Sequence, residues 1–307
     1  MEAIIITFLV ILITIIIYFC IKSFNKKGNN NDDNINKIII SKYNIMPYSF
    51  SKEPLKILKE EDHVTCFLCL LNKKFLSGQM NGMISLYDDK NFSAISLIIE
   101  HCEPISSLIQ LHDETILTSS ADGTMKKIRL LLNDDNSRNN NKEYLVEFVF
   151  YTNKEFIFKS IQINNSDDII SCNISKELIL WKKNQNDNYP LYKVDKILLN
   201  NEYVRDILQI TDNIFITCGE SLQCWNTDNY ILIKRLLYAC KGNNCIYKIN
   251  DEYTGIFLLK DGDILLFNNK TLIETKIINL TSLSLTCLKS LKNNIIAIGI
   301  FDNKNKK

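Results

Sequence analysis

Three residues near the middle of the chain have the side-chain types of a hydrolase catalytic triad. They are His101, Ser120 and Asp122. A serine nucleophile, a histidine base and an orienting aspartate together carry out acyl transfer. The chain has only 3 histidines, and the other two are His63 and His112, the second in a polar loop where we interpret it as solvated. Whether His101, Ser120 and Asp122 form a triad depends on the strands and turns that carry them.

Metal, nucleotide and nucleic-acid sites find little support in the sequence. The close cysteine pairs Cys66 with Cys69 and Cys240 with Cys245 lack the two further ligands of a closed zinc site. The 9 glycines form no glycine-rich phosphate loop. A formal net charge of +1 creates no strong field to attract nucleic acid. We therefore predict no cofactor, no metal, no small-molecule substrate and no nucleic-acid partner.

The 10 cysteines are spaced irregularly, and we interpret them as mostly free, buried thiols. Free thiols in this number favour a reducing compartment, because in an oxidising one they would pair or be lost. The sequence leaves disulfide bonds open, since spacing alone does not define a pairing.

The N-terminal stretch from Ala3 to Ile21 contains no charged residue. A helix of this length spans roughly 28 Å at about 1.5 Å per residue, close to the hydrocarbon thickness of a bilayer. A cleaved signal peptide is the alternative, but it would have a basic start and small residues at the cut site, whereas this stretch starts Met1-Glu2 and ends in bulky residues. We predict a transmembrane anchor at 1–21, a polar flexible tether at 22–36 and a folded domain at 37–307.

Three lysines, Lys22, Lys26 and Lys27, follow the predicted span. The positive-inside tendency then places the folded domain in the cytosol, unless these lysines are ordinary linker residues. The short span fits a thin membrane such as that of the endoplasmic reticulum slightly better. Glycan at any of five Asn-x-Ser/Thr sites would reverse this orientation: Asn91, Asn164, Asn173, Asn269 and Asn279.

Short apolar runs alternate with Asn, Asp and Gly clusters after the tether, which predicts many short strands. The turn clusters repeat, and the first step is 123 − 82 = 41 residues. The repeated turn positions are Gly82, Gly123, Lys176, Glu220, Gly262 and Asn303. A large apolar residue lies five positions after each of the first five, forming a column of Tyr87, Ile128, Trp181, Trp225 and Phe267. Units of about four strands must stack to bury both faces, and a β-propeller is the closed solution.

The segment LTSSADGTMKKI resembles the strand, tight turn and next strand of WD40 repeats, and the resemblance covers roughly 37–307. It implies that His101, Ser120 and Asp122 form a buried structural brace rather than a triad, with Ile128 replacing the usual tryptophan. His63 is placed like His101, before the first unit. The resemblance is degenerate, because the two tryptophans of the column lack both the histidine and a following aspartate. It also implies that these tryptophans are core residues.

The number of units predicts six blades, although the sixth unit stops before its last two strands. Two unassigned apolar runs, 37–43 and 55–59, would fill those places and remove exposed sheet edges. The alternative is a truncated product of a seven-bladed parent.

WD40-like propellers generally bind proteins, so the resemblance implies a non-enzymatic scaffold for cytosolic proteins, held at a membrane by its N-terminal helix. The order of anchor and propeller is similar to that of transducin β-like proteins of the endoplasmic reticulum. The alternative is a nucleotide-exchange factor for a small GTPase, like the membrane-anchored propeller that starts COPII coat assembly, although there the anchor follows the propeller. Among the loops, the polar insertion Leu132–Glu143 is our first candidate for function.

Overall fold

We analysed a computed structural model of the 307-residue chain. The structure describes residues 60, 62–131, 143–152, 155–184, 191–199, 202–240, 245–258, 263–278, 284–290 and 296–301. The predicted anchor, tether and N-terminal runs lie outside these residues, as do most of the insertion and the turn positions Gly262 and Asn303. No helix within the described ranges is long and apolar enough to cross a membrane.

The described residues form strands in six antiparallel sheets, so the all-β prediction is confirmed for them. Sheet A contains β1 (Val64–Cys69), β2 (Lys74–Gln79), β3 (Met83–Asp88) and β4 (Ala94–Ile99). Sheet B contains β5 (Ile105–Gln110), β6 (Ile116–Ser120), β7 (Thr124–Leu130) and β8 (Tyr144–Tyr151). Sheet C contains β9 (Ile157–Gln162), β10 (Ile169–Asn173), β11 (Glu177–Lys183) and β12 (Tyr192–Leu199).

Sheet D contains β13 (Val204–Thr211), β14 (Ile214–Gly219), β15 (Leu222–Asn226) and β16 (Leu232–Leu236). Sheet E contains β17 (Ile246–Lys248), β18 (Tyr253–Phe257), β19 (Ile264–Asn268) and β20 (Glu274–Ile278), and sheet F contains β21 (Ser284–Ser290) and β22 (Ile296–Phe301). Sheets A to D belong to one compact unit, 60–243, and sheets E and F belong to a second. The number of blades and the completion of sheet F by residues 37–59 stay predictions.

The repeated turn positions have a backbone explanation in the first three sheets. Gly82 and Gly123 have φ of 83° and 79°, and Lys176 has φ of 65°. Each ends the tight turn between the second and third strands, where a left-handed residue is needed. A Cβ at Gly82 would overlap the carbonyl oxygen of His101, so this turn also requires the missing side chain.

A second repeated turn follows the apolar column. Asp88, Asn226 and Asn268 come directly after Tyr87, Trp225 and Phe267, and each side-chain oxygen accepts hydrogen bonds from two backbone N–H groups of the turn ahead. Such Asx turns favour chain reversal without glycine. They position the fourth strand of sheets A, D and E.

The apolar column lies on the third strand of each four-stranded sheet, and all five side chains are buried. Opposite each one, the fourth strand contains a β-bulge. Bulges twist an outer strand and discourage pairing with other edges. The repeated architecture therefore protects its outer strands in the same place in every sheet.

Successive sheets of unit 60–243 pack through their first strands: β1 against β5, β5 against β9, and β9 against β13. Three apolar clusters fill the spaces between sheets A and B, B and C, and C and D. Their most deeply buried members include Leu76, Ile116, Phe150 and Phe215. Each such side chain contributes about 1.5–3 kcal/mol, so the sheets are stable only as a stack.

Candidate functional site: buried polar nodes and exposed outer strands

The three residues of the triad type are not arranged as a triad. His101 Nδ1 donates to Asp122 Oδ2 at 2.8 Å, and His101 Nε2 lies 2.7 Å from the Thr118 hydroxyl oxygen. Ser120 instead donates to the Glu103 carbonyl oxygen at 3.0 Å and accepts from the Asp122 N–H at 3.2 Å. The strand hydroxyl of the brace is therefore Thr118, and the assignment of Ser120 to that role was wrong.

The reason for this difference is the position at which β6 ends. Thr118 and Ser120 are two residues apart, but Ser120 is at the end of the strand, where its hydroxyl stabilises the turn around Asp122. Thr118 faces His101 from within the strand and is fully buried. We call His101, Thr118 and Asp122 the sheet B node.

Asp122 is ionised in the sheet B node. Burial opposes its ionisation, but hydrogen bonds from His101 and Thr124 prevail and lower the pKa of Asp122 to about 2. The Thr124 hydroxyl donates to Asp122 Oδ1 at 2.6 Å, and the Thr124 N–H donates to it at 2.9 Å. The carboxylate thus fixes the turn and orients the histidine ring at the same time.

Sheet A has a node of different chemistry at the same position. The Glu60 carboxylate accepts from the Ser77 hydroxyl, from Gln79 Nε2 at 2.9 Å and from the Ser85 hydroxyl at 2.9 Å. Gln79 also donates to the Ser85 hydroxyl at 2.9 Å. Burial, followed by the charge of Glu60, raises the pKa of Tyr87 to about 12. We call Glu60, Ser77, Gln79 and Ser85 the sheet A node.

The distance to the column, rather than residue type, identifies the residue of sheet A that is equivalent to His101. His63 was matched to His101 by residue type, but its side chain is exposed. Glu60 precedes Tyr87 by 87 − 60 = 27 residues, and His101 precedes Ile128 by 128 − 101 = 27 residues. The constant distance to the column would have identified Glu60, whereas residue type identified His63.

Each sheet of unit 60–243 places a hydroxyl at one position of its second strand: Ser77, Thr118, Ser171 and Thr217. In sheets C and D the column tryptophan is the partner. Trp181 Nε1 donates to Ser171 at 3.0 Å, and Trp225 Nε1 donates to Thr217 at 3.0 Å. Sheet E has Ile256 at this position. The tryptophans are thus core residues with one buried hydrogen bond each, worth about 1 kcal/mol.

Glutamines at the ends of inner strands link neighbouring sheets, and sequence analysis missed them. Each side-chain oxygen accepts a backbone N–H from the first turn of the preceding sheet: Gln110 from Leu71 at 3.1 Å, Gln162 from His112 at 2.8 Å, and Gln209 from Asn164 at 2.8 Å. Cys69 occupies the matching position of sheet A. The His112 side chain itself is exposed, as its loop position predicted.

Ion pairs with at least one buried partner strengthen the interior of the same unit at two places. Lys127, with 3% of its surface exposed, lies between Asp113 at 2.7 Å and Glu147 at 2.5 Å. Asp206 is fully buried in β13 and pairs with Lys159 of β9 at 2.6 Å. Removing one partner of such a pair costs about 3–5 kcal/mol, because a buried charge is left uncompensated.

Two of the cysteines are not free thiols. Cys218 and Cys240 form a disulfide, with Cα atoms 6.0 Å apart. The close pair Cys240 and Cys245, considered above for metal binding, therefore has one member already engaged. Both residues of the disulfide are buried, and the 22-residue separation has no sequence signature. The interpretation of these two as free was wrong.

Among the described residues, five cysteines are free thiols: Cys66, Cys69, Cys102, Cys172 and Cys224. Cys69 and Cys102 are exposed, so the expectation of burial was wrong for them. Burial, with a smaller contribution from the Asp206 charge, raises the pKa of Cys172 to about 12, and burial raises that of Cys224 to about 11. These two thiols are poor nucleophiles at neutral pH.

The outer strands carry half of the exposed large apolar side chains among the described residues of unit 60–243. Each fourth strand exposes two large apolar side chains: Leu97 and Ile99 on β4, Leu145 and Tyr151 on β8, Val194 and Ile197 on β12, and Leu232 and Ile233 on β16. Single exposed apolar residues are ordinary on protein surfaces. A pair on every outer strand of unit 60–243 is a repeated feature.

No protein-family profile and no curated protein sequence matches the chain. Solved structures do match its fold. The C-terminal WD40 domain of Sif2 has a TM-score of 0.53 at 13% identity, covering 77% of this chain and 78% of that one. A chain of the mitotic checkpoint complex has a TM-score of 0.63 at 11% identity, covering 79% of this chain and 73% of that one. Together with the sheets described above, these likenesses identify the fold as a WD40-like β-propeller.

Proposed function

We propose that the protein is a membrane-tethered, non-enzymatic scaffold that binds other proteins through its WD40-like propeller. The observation that carries this proposal is the pair of exposed apolar side chains on each outer strand of unit 60–243. The polar groups with the residue types of a triad are used inside the fold instead, where His101 bonds Asp122 and Thr118. Similarity to WD40 domains supports a role in protein binding, and one of the similar chains comes from a multi-protein complex.

The proposed tether is the uncharged stretch from Ala3 to Ile21, followed by Lys22, Lys26 and Lys27. This order of charges supports a cytosolic propeller, and the short span supports the endoplasmic reticulum membrane. Tethering would raise the local concentration of whatever the propeller binds.

The proposed propeller has six blades, of which sheet F would be the last. Its described strands are β21 and β22, and we assign its other two places to the apolar runs 37–43 and 55–59. Hydrogen exchange across 38–59 tests this: slow exchange is expected for paired strands, and fast exchange throughout contradicts the closure and favours a truncated seven-bladed parent.

Proximity labelling by the full chain in its own cell tests the scaffold. We expect a reproducible set of labelled cytosolic proteins. We expect at least one of them to be lost from Val194→Lys/Ile197→Lys, which places two charges on the exposed edge of β12. The matched control Asn72→Lys/Asn165→Lys adds the same charge at exposed turns of unit 60–243 and should keep the set. Equal labelling by all three proteins would contradict the proposal.

Separate measurements test the side of the membrane on which the propeller lies and the exchange-factor alternative. Asn91 and Asn164 are exposed, whereas Asn173 and Asn269 are buried, so the first two are the informative glycosylation sites. Glycan on Asn91 or Asn164 of the folded protein would place the propeller in the lumen. Accelerated GDP release from coat-initiating GTPases would replace the scaffold with the exchange-factor function.

A further inference from the structure

We propose that Cys218 and Cys240 form a reversible dithiol–disulfide couple, a redox-modification site that holds the C-terminal end of sheet D in place. Its co-reactant would be a dithiol reductant or glutathione. This inference does not depend on the scaffold proposal, since it concerns only residues of unit 60–243.

The disulfide links an inner strand of sheet D to the segment that follows its outermost strand. Cys218 lies in β14, the second strand of sheet D, and Cys240 follows β16, the outermost strand. The Cys240 N–H also donates to the Gly219 carbonyl oxygen at 2.8 Å. The disulfide therefore closes a loop that contains β15 and β16, and it holds Cys240 beside β14. Loop closure of this kind restricts the open states of the chain.

The segment that carries Cys240 is the accessible half of the couple. Leu237 is 84% exposed, and the Tyr238 N–H donates to the Leu236 carbonyl oxygen within a short turn. Segments at the edge of a sheet that expose side chains open locally at lower free energy than interior strands do. Cys218 is fully buried within the sheet. Opening of 237–240 would therefore expose the Cys240 sulfur first.

The chemistry balances as ordinary thiol–disulfide exchange. A reductant thiolate attacks Cys240 Sγ, forming a mixed disulfide and releasing Cys218 as a thiolate that takes up a proton. A second reductant thiol then attacks the mixed disulfide and releases Cys240 as a thiol. The protein gains two electrons and two protons, and the reductant leaves as its disulfide.

Two other thiols of unit 60–243 react poorly with this couple. Cys172 and Cys224 are buried and have raised pKa values, so they contain little thiolate to attack the disulfide. Cys69 and Cys102 are exposed and lie in or after sheet A rather than in sheet D. The exposed thiols Cys69 and Cys102 can be removed for the experiment.

The test uses the full chain in detergent with Cys69→Ser/Cys102→Ser. The protein is purified with an alkylating agent present, and then treated with glutathione or dithiothreitol under native conditions. We expect no alkylation of Cys218 or Cys240 before reduction and alkylation of both after it, while Cys172 and Cys224 stay unmodified. We also expect amide exchange in 232–240 to become more than tenfold faster, with β1–β12 unchanged.

The control variant Cys240→Ser should show the faster exchange with or without reductant. If it does not fold, the reductant series on the parent protein gives the same answer. Alkylation of both cysteines before reduction in protein kept under oxidising conditions would overturn the proposal. Exchange in 232–240 that is equal in the oxidised and reduced protein would overturn it as well.

Discussion

Sheets A and B share strand order and turn geometry but stabilise the same buried position with opposite chemistry. In sheet B, a histidine connects a carboxylate to the strand hydroxyl of Thr118. In sheet A, the Glu60 carboxylate collects donors from uncharged side chains. The comparison teaches that sheets A and B accept different polar residues at the same distance before the column. Buried polar groups must be satisfied, and either arrangement achieves this.

The largest effect should come from deleting the histidine of sheet B. His101→Ala leaves Asp122 and Thr118 without their buried partner, and we expect a loss of about 3 kcal/mol in the free energy of unfolding. Urea unfolding of the full chain in detergent measures this. His63→Ala is the matched control, because His63 is exposed, and should change stability by less than about 0.5 kcal/mol. Similar losses from both variants would restore His63 as a structural histidine.

The next prediction compares the loss of the Thr118 hydroxyl with the loss of the Ser120 hydroxyl. Thr118→Val keeps the side-chain shape and removes the hydroxyl beside His101, so we expect a loss of about 1–2 kcal/mol and a shift of the His101 Nε2 resonance in ¹⁵N NMR. Ser120→Ala should leave that resonance in place, because Ser120 bonds the backbone near Glu103 and Asp122. A shift in the serine variant alone would return Ser120 to the brace.

The stabilisation that the sheet B node provides should depend on pH in the acid range. The pKa of Asp122 is lowered to about 2 in the folded state, below its usual value of about 3.9 in an unfolded chain. The stabilisation is therefore complete above about pH 5 and is lost as the pH falls towards 2. Asp122→Asn removes it, so the stability difference between parent and variant should shrink by about 1 kcal/mol from pH 5 to 2, after allowing for solvent screening. A constant difference would show that the carboxylate charge contributes nothing.

The smallest expected effect concerns the glutamine links. Gln162→Ala removes the acceptor for the His112 N–H, and we expect a loss of about 0.5–1 kcal/mol in urea unfolding. The control is Cys69→Ala, at the matching position of sheet A, which should have no measurable effect. A larger loss from the cysteine variant would mean that sheet A has a link of its own there.

Much of the fold follows from spacing in the sequence. The turn positions Gly82, Gly123 and Lys176 have left-handed backbones, and the column residues lie together on third strands, because a repeat places equivalent residues in equivalent surroundings. The distance to the column also identifies Glu60 as the equivalent of His101, whereas residue type indicates His63.

Other features had no local signal. The roles of Thr118 and Ser120 depend on where β6 ends, and strand ends are poorly defined by sequence pattern. The link from Gln162 to His112 and the bond between Cys218 and Cys240 join residues that come together only after the sheets form. Such contacts are decided by tertiary structure.

The central claim is that the buried nodes are structural and that the exposed outer strands bind partners. Proximity labelling with three full-length proteins tests it most directly: the parent, Thr118→Val, and Val194→Lys/Ile197→Lys, at a temperature where all are folded. We predict that Thr118→Val labels the same cytosolic proteins as the parent and that the edge variant loses at least one. Loss of labelled partners in Thr118→Val with full retention in the edge variant would contradict the account.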